Sequence, residues 1–366
     1  MTLRFDFGPE GEAETGYIRV SAADAYDSAK GYGFVDGSRV TALRRGGDRL
    51  TGDFCIPFDA AFLADIEDGN YIVSITIGDA AAPTCTTLKT NGERLVLRNF
   101  RTVAGQYAQE RFAVNVRGGK LKLAFGGIAP RINALEIAPS KEQITLYLAG
   151  DSTVTDPSEN GYPQSGWGQM LSYFLKHDVA VANHAVGGRS SKSFIAEGRL
   201  NAILEGMKEG DYLFIQFGHN DQKSDEPRYT DPATTYPEHL RKYIDAARSK
   251  KATPVLVTSV HRRYFEADGK LKDTHGAYLD AVRRLAEEEE VALIDLAEKS
   301  KRLFEEAGPE GTKSIFLWGA PGEWMNYSSG VRDNTHFQEQ GSLRIAELVV
   351  EGIRERQILP LTMYLR

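Results

Sequence analysis

From Ile144 onward, compact apolar runs at 144–149, 212–217, 254–258 and 291–294 alternate with longer amphipathic stretches at about 167–177, 198–208, 236–250, 276–290 and 338–355. Short apolar runs set between helix-period segments are the pattern of strands buried on both faces, because each crossover helix covers one side of the sheet. The expected architecture is α/β, a three-layer α/β/α arrangement around a parallel sheet. In such sheets ligands bind beyond the carboxyl ends of the strands, where loops from different crossovers meet. The loops that follow these apolar runs are therefore where chemistry is to be sought.

Before residue 140 the rhythm is different. Short apolar or alternating runs such as 70–78, 94–99, 110–116 and 119–125 are separated by Gly, Asp, Asn and Pro. Strands joined by turns predict an all-β sandwich, jelly-roll-like. Pro139-Ser140-Lys141-Glu142 reads as a linker, which divides the chain into domains 1–139 and 140–366. Cys55 and Cys85 are the only cysteines. Two are too few for a disulfide framework or a cysteine-built zinc site, so both are expected as free thiols packed among strands.

Composition removes several function classes. A formal net charge of −7 repels a phosphate backbone, so a nucleic-acid partner is not expected. No stretch approaches 18 consecutive apolar residues, so no membrane-spanning helix is expected either. The opening Met1-Thr2-Leu3-Arg4-Phe5-Asp6-Phe7 lacks an apolar segment behind a basic start, which fits a cytoplasmic protein, or a secreted one whose leader has been removed. The oligomeric state is not legible.

Four short blocks fall at strand ends or in loops. Gly150-Asp151-Ser152-Thr153 follows the first apolar run and puts Ser152 at the carboxyl edge of the sheet. Taken alone it also fits a helix cap. Asn183-His184-Ala185-Val186-Gly187-Gly188-Arg189-Ser190-Ser191 follows the run 179–182, and its paired glycines allow backbone N–H groups to approach a ligand, or simply make a turn. Gly218-His219-Asn220-Asp221 closes the run 212–217. There Asn220 offers a neutral amide donor of the kind that stabilises an oxyanion, the alternative being a turn closed by local hydrogen bonds. Asp333-Asn334-Thr335-His336 precedes the last amphipathic stretch, in what reads as a loop, with a spacing that lets the carboxylate fold back on the imidazole. A serine hydroxyl is a feeble nucleophile until a base takes its proton, and the base needs an acceptor on its other nitrogen. Ser152, His336 and Asp333 supply that set.

The order Gly-Asp-Ser, Gly, Gly-X-Asn-Asp, Asp-X-X-His resembles the SGNH (GDSL-type) hydrolase superfamily over about residues 144–355. The strings Leu148-Ala149-Gly150-Asp151-Ser152-Thr153-Val154, Phe217-Gly218-His219-Asn220-Asp221 and Asp333-Asn334-Thr335-His336 look most like its rhamnogalacturonan acetylesterase branch. Phe5-Asp6-Phe7-Gly8-Pro9 resembles the opening of the galactose-binding-like sandwich that some members carry. The resemblance implies Ser152 as nucleophile, His336 as general base and Asp333 as its orienting partner. It implies an oxyanion hole from the N–H groups of Ser152 and Gly187 and the amide of Asn220, with Asp151 and Asp221 in structural roles. The implied activity is removal of acetyl groups from pectic, rhamnogalacturonan-type poly- or oligosaccharides of the plant cell wall, without cofactor or metal. The alternatives are an esterase of acetylated xylo-oligosaccharides or other small acetyl esters, and a carbohydrate-binding protein with an inactive hydrolase domain.

Substrate contacts are expected from Arg189, Trp167 and His219, and Trp167, Trp318 and Trp324 are candidate aromatic platforms for sugar faces, the alternative for each being plain packing. Galacturonate carboxylates would call on cations, and Arg189, Lys192, Lys223, Arg228, Arg262 and Arg263 lie in or near the segments bordering the crevice. His184, His219, His261 and His275 match no recognised metal-ligand spacing.

Overall fold

The computed structural model describes residues 2–157 and 161–366. Its chain divides into two compact units, one of residues 1–143, 175–180 and 366, the other of 144–174 and 181–365.

The first unit is a sandwich of two five-stranded sheets. One has the order Tyr107–Val116, Gly69–Gly78, Ala134–Pro139, Leu3–Phe7, Ile18–Val20; the other Tyr32–Val35, Ala60–Asp65, Lys120–Ala129, Thr84–Thr90, Arg94–Thr102. Period-2 alternation builds it: Tyr71, Val73, Ile75 and Ile77 are buried, as are Leu121, Leu123 and Phe125, with less buried residues between them. The facing sheets meet through Phe5 and Phe62, whose rings pack edge to face with centroids 5.1 Å apart. Cys55 and Cys85 are free and buried, as expected.

The second unit contains a five-stranded sheet with the order Val179–Asn183, Ile144–Gly150, Tyr212–Gln216, Thr253–Val257, Ala292–Ile294. Ile144–Gly150 pairs parallel with Tyr212–Gln216, which pairs parallel with Thr253–Val257, and that strand with Ala292–Ile294. Both faces are covered. Tyr147, Ala149, Leu213 and Ile215 join one core with Leu240, Tyr243 and Ile244 of the helix Thr235–Ser249 and Val282 and Leu285 of the helix Ala277–Glu288. Leu146, Leu148 and Phe214 point the other way and are equally buried. On the far side the helix Glu339–Glu355 packs against Trp167–Met170 and against Ala292–Ile294.

Two elements depart from the sequence expectation. A helix spans Leu296–Gly311, where only Leu296, Ala297, Ser300 and Phe304 are buried and the apolar stripe is too thin to read from periodicity. The segment read as a loop around Asp333 is instead the strand Val331–Gln338, central in a three-stranded sheet between Gln164–Ser165 and Phe316–Gly319 and antiparallel to both. Phe337 is its single buried residue, so no alternation announced it. No helix among the described residues is long and apolar enough to cross a membrane.

Candidate active site

The parallel sheet delivers three of the four blocks to one edge. Gly150 ends its strand where a Cβ would come within 2.7 Å of Val154 Cγ2 and 3.0 Å of the Gln216 carbonyl oxygen. The chain then turns sharply. Asp151 is fully buried, and its Oδ1 accepts the N–H of Thr153 at 2.9 Å and the Thr153 hydroxyl at 2.8 Å, so Ser152 is held at the apex of a side-chain-closed turn. Burial alone would raise the Asp151 pKa, but His219 and the Thr153 bonds outweigh it and hold it below the ordinary value.

The fourth block reaches the same place from the antiparallel strand. His336 Nε2 lies 2.8 Å from Ser152 Oγ, and His336 Nδ1 lies 2.7 Å from Asp333 Oδ2. Asp333 Oδ1 also accepts the N–H groups of Thr335 at 2.7 Å and His336 at 3.0 Å. Burial pushes the Asp333 carboxyl up, while the His336 ring and these N–H donors pull it down further, so it stays ionised below the usual range. With a carboxylate on Nδ1, the neutral ring carries its proton there and leaves Nε2 free to accept from the serine hydroxyl. Asp333 and His336 keep 31% and 27% of their side chains exposed, so a substrate can reach them.

Gly187 backs onto Ser152: a Cβ built on it would stand 3.5 Å from Ser152 Cβ. Among the described residues no hydrogen-bond acceptor faces the N–H of Ser152 or of Gly187. The Asn220 amide is buried and oriented, one Nδ2 hydrogen going to the Arg189 carbonyl oxygen at 3.1 Å. Its second hydrogen remains for another acceptor. Asp221 ties two blocks together by accepting the Ser191 hydroxyl at 2.5 Å, the Ser191 N–H at 3.1 Å and the Thr230 hydroxyl at 3.0 Å. Burial pushes its carboxyl up to about 7.

Two sequence expectations about sugar contacts are corrected. Trp167 is 1% exposed and donates its Nε1–H to Gln216 Oε1 at 2.9 Å, so its ring belongs to the core and offers no face to a ligand. His219 is 3% exposed, with Nδ1 3.2 Å from Asp151 Oδ2, and burial keeps its imidazole below the ordinary pKa. It anchors the turn that carries Ser152. Arg189 is partly exposed, but its guanidinium holds Glu197 and the Gly187 carbonyl oxygen. The neighbouring histidines pack as rings, His219 on His275 at 4.7 Å and His275 on His261 at 5.9 Å. Among the described residues no group of three or more His, Cys, Asp or Glu side chains is arranged to hold a metal ion. The sequence reading missed Arg262 as a brace. Its half-buried guanidinium donates to the His219 carbonyl oxygen at 3.1 Å and to Thr274, and nothing in an Arg-Arg pair distinguishes a brace from a surface cation.

The pattern of the GDSL-like lipase/acylhydrolase family matches residues 148–342. A galactose-binding-like domain pattern of the β-agarase/YXIM esterase-like kind matches residues 3–133. The rhamnogalacturonan acetylesterase RhgT of Bacillus subtilis (strain 168) is 50% identical over 215 residues, 59% of this chain and 91% of its own. YxiM of the same strain, described as an uncharacterized esterase, is 32% identical over 377 residues, covering 97% of this chain and 91% of its own. The crystal structure of YxiM from Bacillus subtilis superposes with a TM-score of 0.55 at 30% identity, over 98% of this chain and 99% of that one. An N-terminal galactose-binding-like sandwich therefore precedes an ester-hydrolase domain, and the chain belongs to the GDSL-like lipase/acylhydrolase family.

Proposed function

We propose that the protein is a carbohydrate O-acetylesterase that releases acetate from rhamnogalacturonan-type pectic poly- or oligosaccharides. The observation that carries the chemistry is the unbroken chain from Asp333 Oδ2 to His336 at 2.7 Å and from His336 Nε2 to Ser152 Oγ at 2.8 Å. The choice of sugar draws its support from RhgT, half identical over most of its length.

In this scheme Ser152 Oγ attacks the acetyl carbonyl carbon while its proton passes to His336 Nε2. The charge on the carbonyl oxygen is met by the N–H groups of Ser152 and Gly187 and by the free amide hydrogen of Asn220, fixed donors that need no reorganisation. The C–O bond to the sugar breaks, the sugar oxygen takes the proton from His336, and acetyl-Ser152 remains. Water then attacks the acyl carbon, His336 takes its proton, and the collapse returns that proton to Ser152 Oγ and frees acetate. Asp333 holds the ring in its tautomer throughout and stabilises the transient imidazolium. Every proton is carried by Ser152, His336, sugar or water, so the scheme contains no cofactor.

Acetate release from acetylated rhamnogalacturonan, acetylated xylo-oligosaccharides and p-nitrophenyl acetate, each with Ser152→Ala as control, tests the reading. The expected result is the highest kcat/KM on rhamnogalacturonan. Ser152-dependent hydrolysis confined to the xylo-oligosaccharides would reassign the sugar, and hydrolysis independent of Ser152 would remove the mechanism.

A further inference from the structure

A pectic backbone carries uronate carboxylates, yet the chain has a net charge of −7 and gives such a polymer no long-range attraction. Recognition then falls to local cations, and most of those near the site are engaged within the chain. Arg189 holds Glu197, Lys192 holds Glu226 and Arg228 holds Asp225. Arg262 is the half-buried brace described above. Arg263 donates to Thr312 Oγ1 at 3.0 Å, to Asn334 Oδ1 at 3.3 Å and to the Pro309 carbonyl oxygen. Lys223 stands in a turn beside Asp225, whose carboxylate feels its charge.

Arg332 is different. It occupies the strand Val331–Gln338 directly before Asp333, it is exposed, and among the described residues its side chain has neither a hydrogen bond nor an ion pair. Its guanidinium rests instead against Trp318, its cross-strand partner in the antiparallel register, with the central carbon 5.7 Å from the ring centroid. Trp318 is a fixed platform. Its Nε1–H bonds Asn334 Oδ1 at 3.1 Å, and the Arg263 guanidinium covers the ring at 4.3 Å. Lys313 approaches the same ring at 5.3 Å, partly neutralised by Glu310. The result is a half-buried indole ringed by three cations, beside the strand segment that supplies Asp333 and His336.

We infer that Arg332, backed by Trp318, binds the carboxylate of a uronate near the sugar being deacetylated, and so sets a preference for acidic over neutral acetylated backbones. A guanidinium matches a carboxylate with two parallel N–H donors. Contact with the indole restricts the arginine before the ligand arrives, which lowers the entropy lost on binding. An exposed pair of this kind contributes modestly and is screened by salt. The inference rests on the acidic-backbone reading above.

Arg332→Gln tests it, since an exposed side chain with no hydrogen bond can be replaced without disturbing the fold. The ratio of kcat/KM on acetylated rhamnogalacturonan oligosaccharide to that on acetylated xylo-oligosaccharide should fall about tenfold, equivalent to about 1.4 kcal/mol. The loss should lie in KM, and the salt dependence of KM on the acidic substrate should flatten. An unchanged ratio, or an equal loss on both sugars, overturns the inference. A second measurement stands apart from turnover: calorimetric binding of a non-acetylated rhamnogalacturonan oligosaccharide to the Ser152→Ala protein with and without Arg332→Gln. Equal affinities would again overturn it. If Ser152-dependent hydrolysis of p-nitrophenyl acetate survives while wild type ignores the acidic substrate, the functional reading fails, and the binding comparison still decides the role of Arg332.

Discussion

Asp333 grips His336 at two points: Oδ2 lies 2.7 Å from the ring Nδ1, and Oδ1 accepts the backbone N–H of the same residue at 3.0 Å. One carboxylate thus fixes the position of the residue and the tautomer of its ring. Asp333→Asn would keep the backbone contact but present an amide to Nδ1, favouring the tautomer that carries its proton on Nε2. Turnover should fall by roughly 10⁴-fold with little change in KM. A variant with undiminished kcat on p-nitrophenyl acetate would take Asp333 out of the mechanism. In the wild type, Asp333 is held below the ordinary carboxylate range, so it should remain ionised as the assay is taken to mildly acidic pH.

Ser152→Ala and His336→Ala should each lower turnover by on the order of 10⁶, and the double variant should lose little more, because the members act as a unit. Steady-state kinetics on p-nitrophenyl acetate, with circular dichroism to verify the fold, reads both numbers. Additive losses would contradict a shared step.

Asn220→Ala should cost roughly 10²–10³ in kcat while leaving KM nearly unchanged, since the oxyanion gains more from the donor than the ground-state carbonyl does. Because Nδ2 also holds the Arg189 carbonyl oxygen, thermal unfolding should be compared in parallel. A change confined to KM would make Asn220 a binding or scaffold residue.

Asp221 gives a pH signature of stability. Its folded pKa of about 7, raised by burial, exceeds the unfolded value of about 4. Between these values the folded chain keeps a proton that the unfolded chain has lost. Its contribution is therefore fully present below about pH 4 and is lost as pH rises toward 7, by up to a few kcal/mol. Relative to Asp221→Asn, the wild-type Tm should fall over that window. Parallel curves for the two proteins would show that Asp221 is ionised throughout.

The two domains and the strand positions of the parallel sheet were legible because burial on two faces leaves uninterrupted apolar runs, as in Tyr212–Gln216, where all five residues are buried. The four blocks were legible because each combines residue types that one chemistry requires. The strand Val331–Gln338 was not, since its partners Gln164–Ser165 and Phe316–Gly319 are distant in sequence and its own residues are mostly polar. Trp167 and His219 were misplaced for a related reason. Composition cannot say whether a polar ring atom meets water or a buried partner such as Gln216 or Asp151.

What the sequence by itself determined is the alternation that makes the sheet and the identity of the groups at its edge, both local properties of residue type and spacing. Only the tertiary structure decided that Ser152 and His336, 184 positions apart, stand 2.8 Å from one another. It also decided which cations remain available to a ligand. Arg189, Arg263 and Arg332 are chemically the same residue, and Arg332 differs because the fold gives Arg189 a carboxylate and Arg263 hydroxyl and carbonyl acceptors, while among the described residues it gives Arg332 only the indole ring. Pairing of a charge depends on which segments the sheet brings alongside it, and that is a property of contacts between distant parts of the chain.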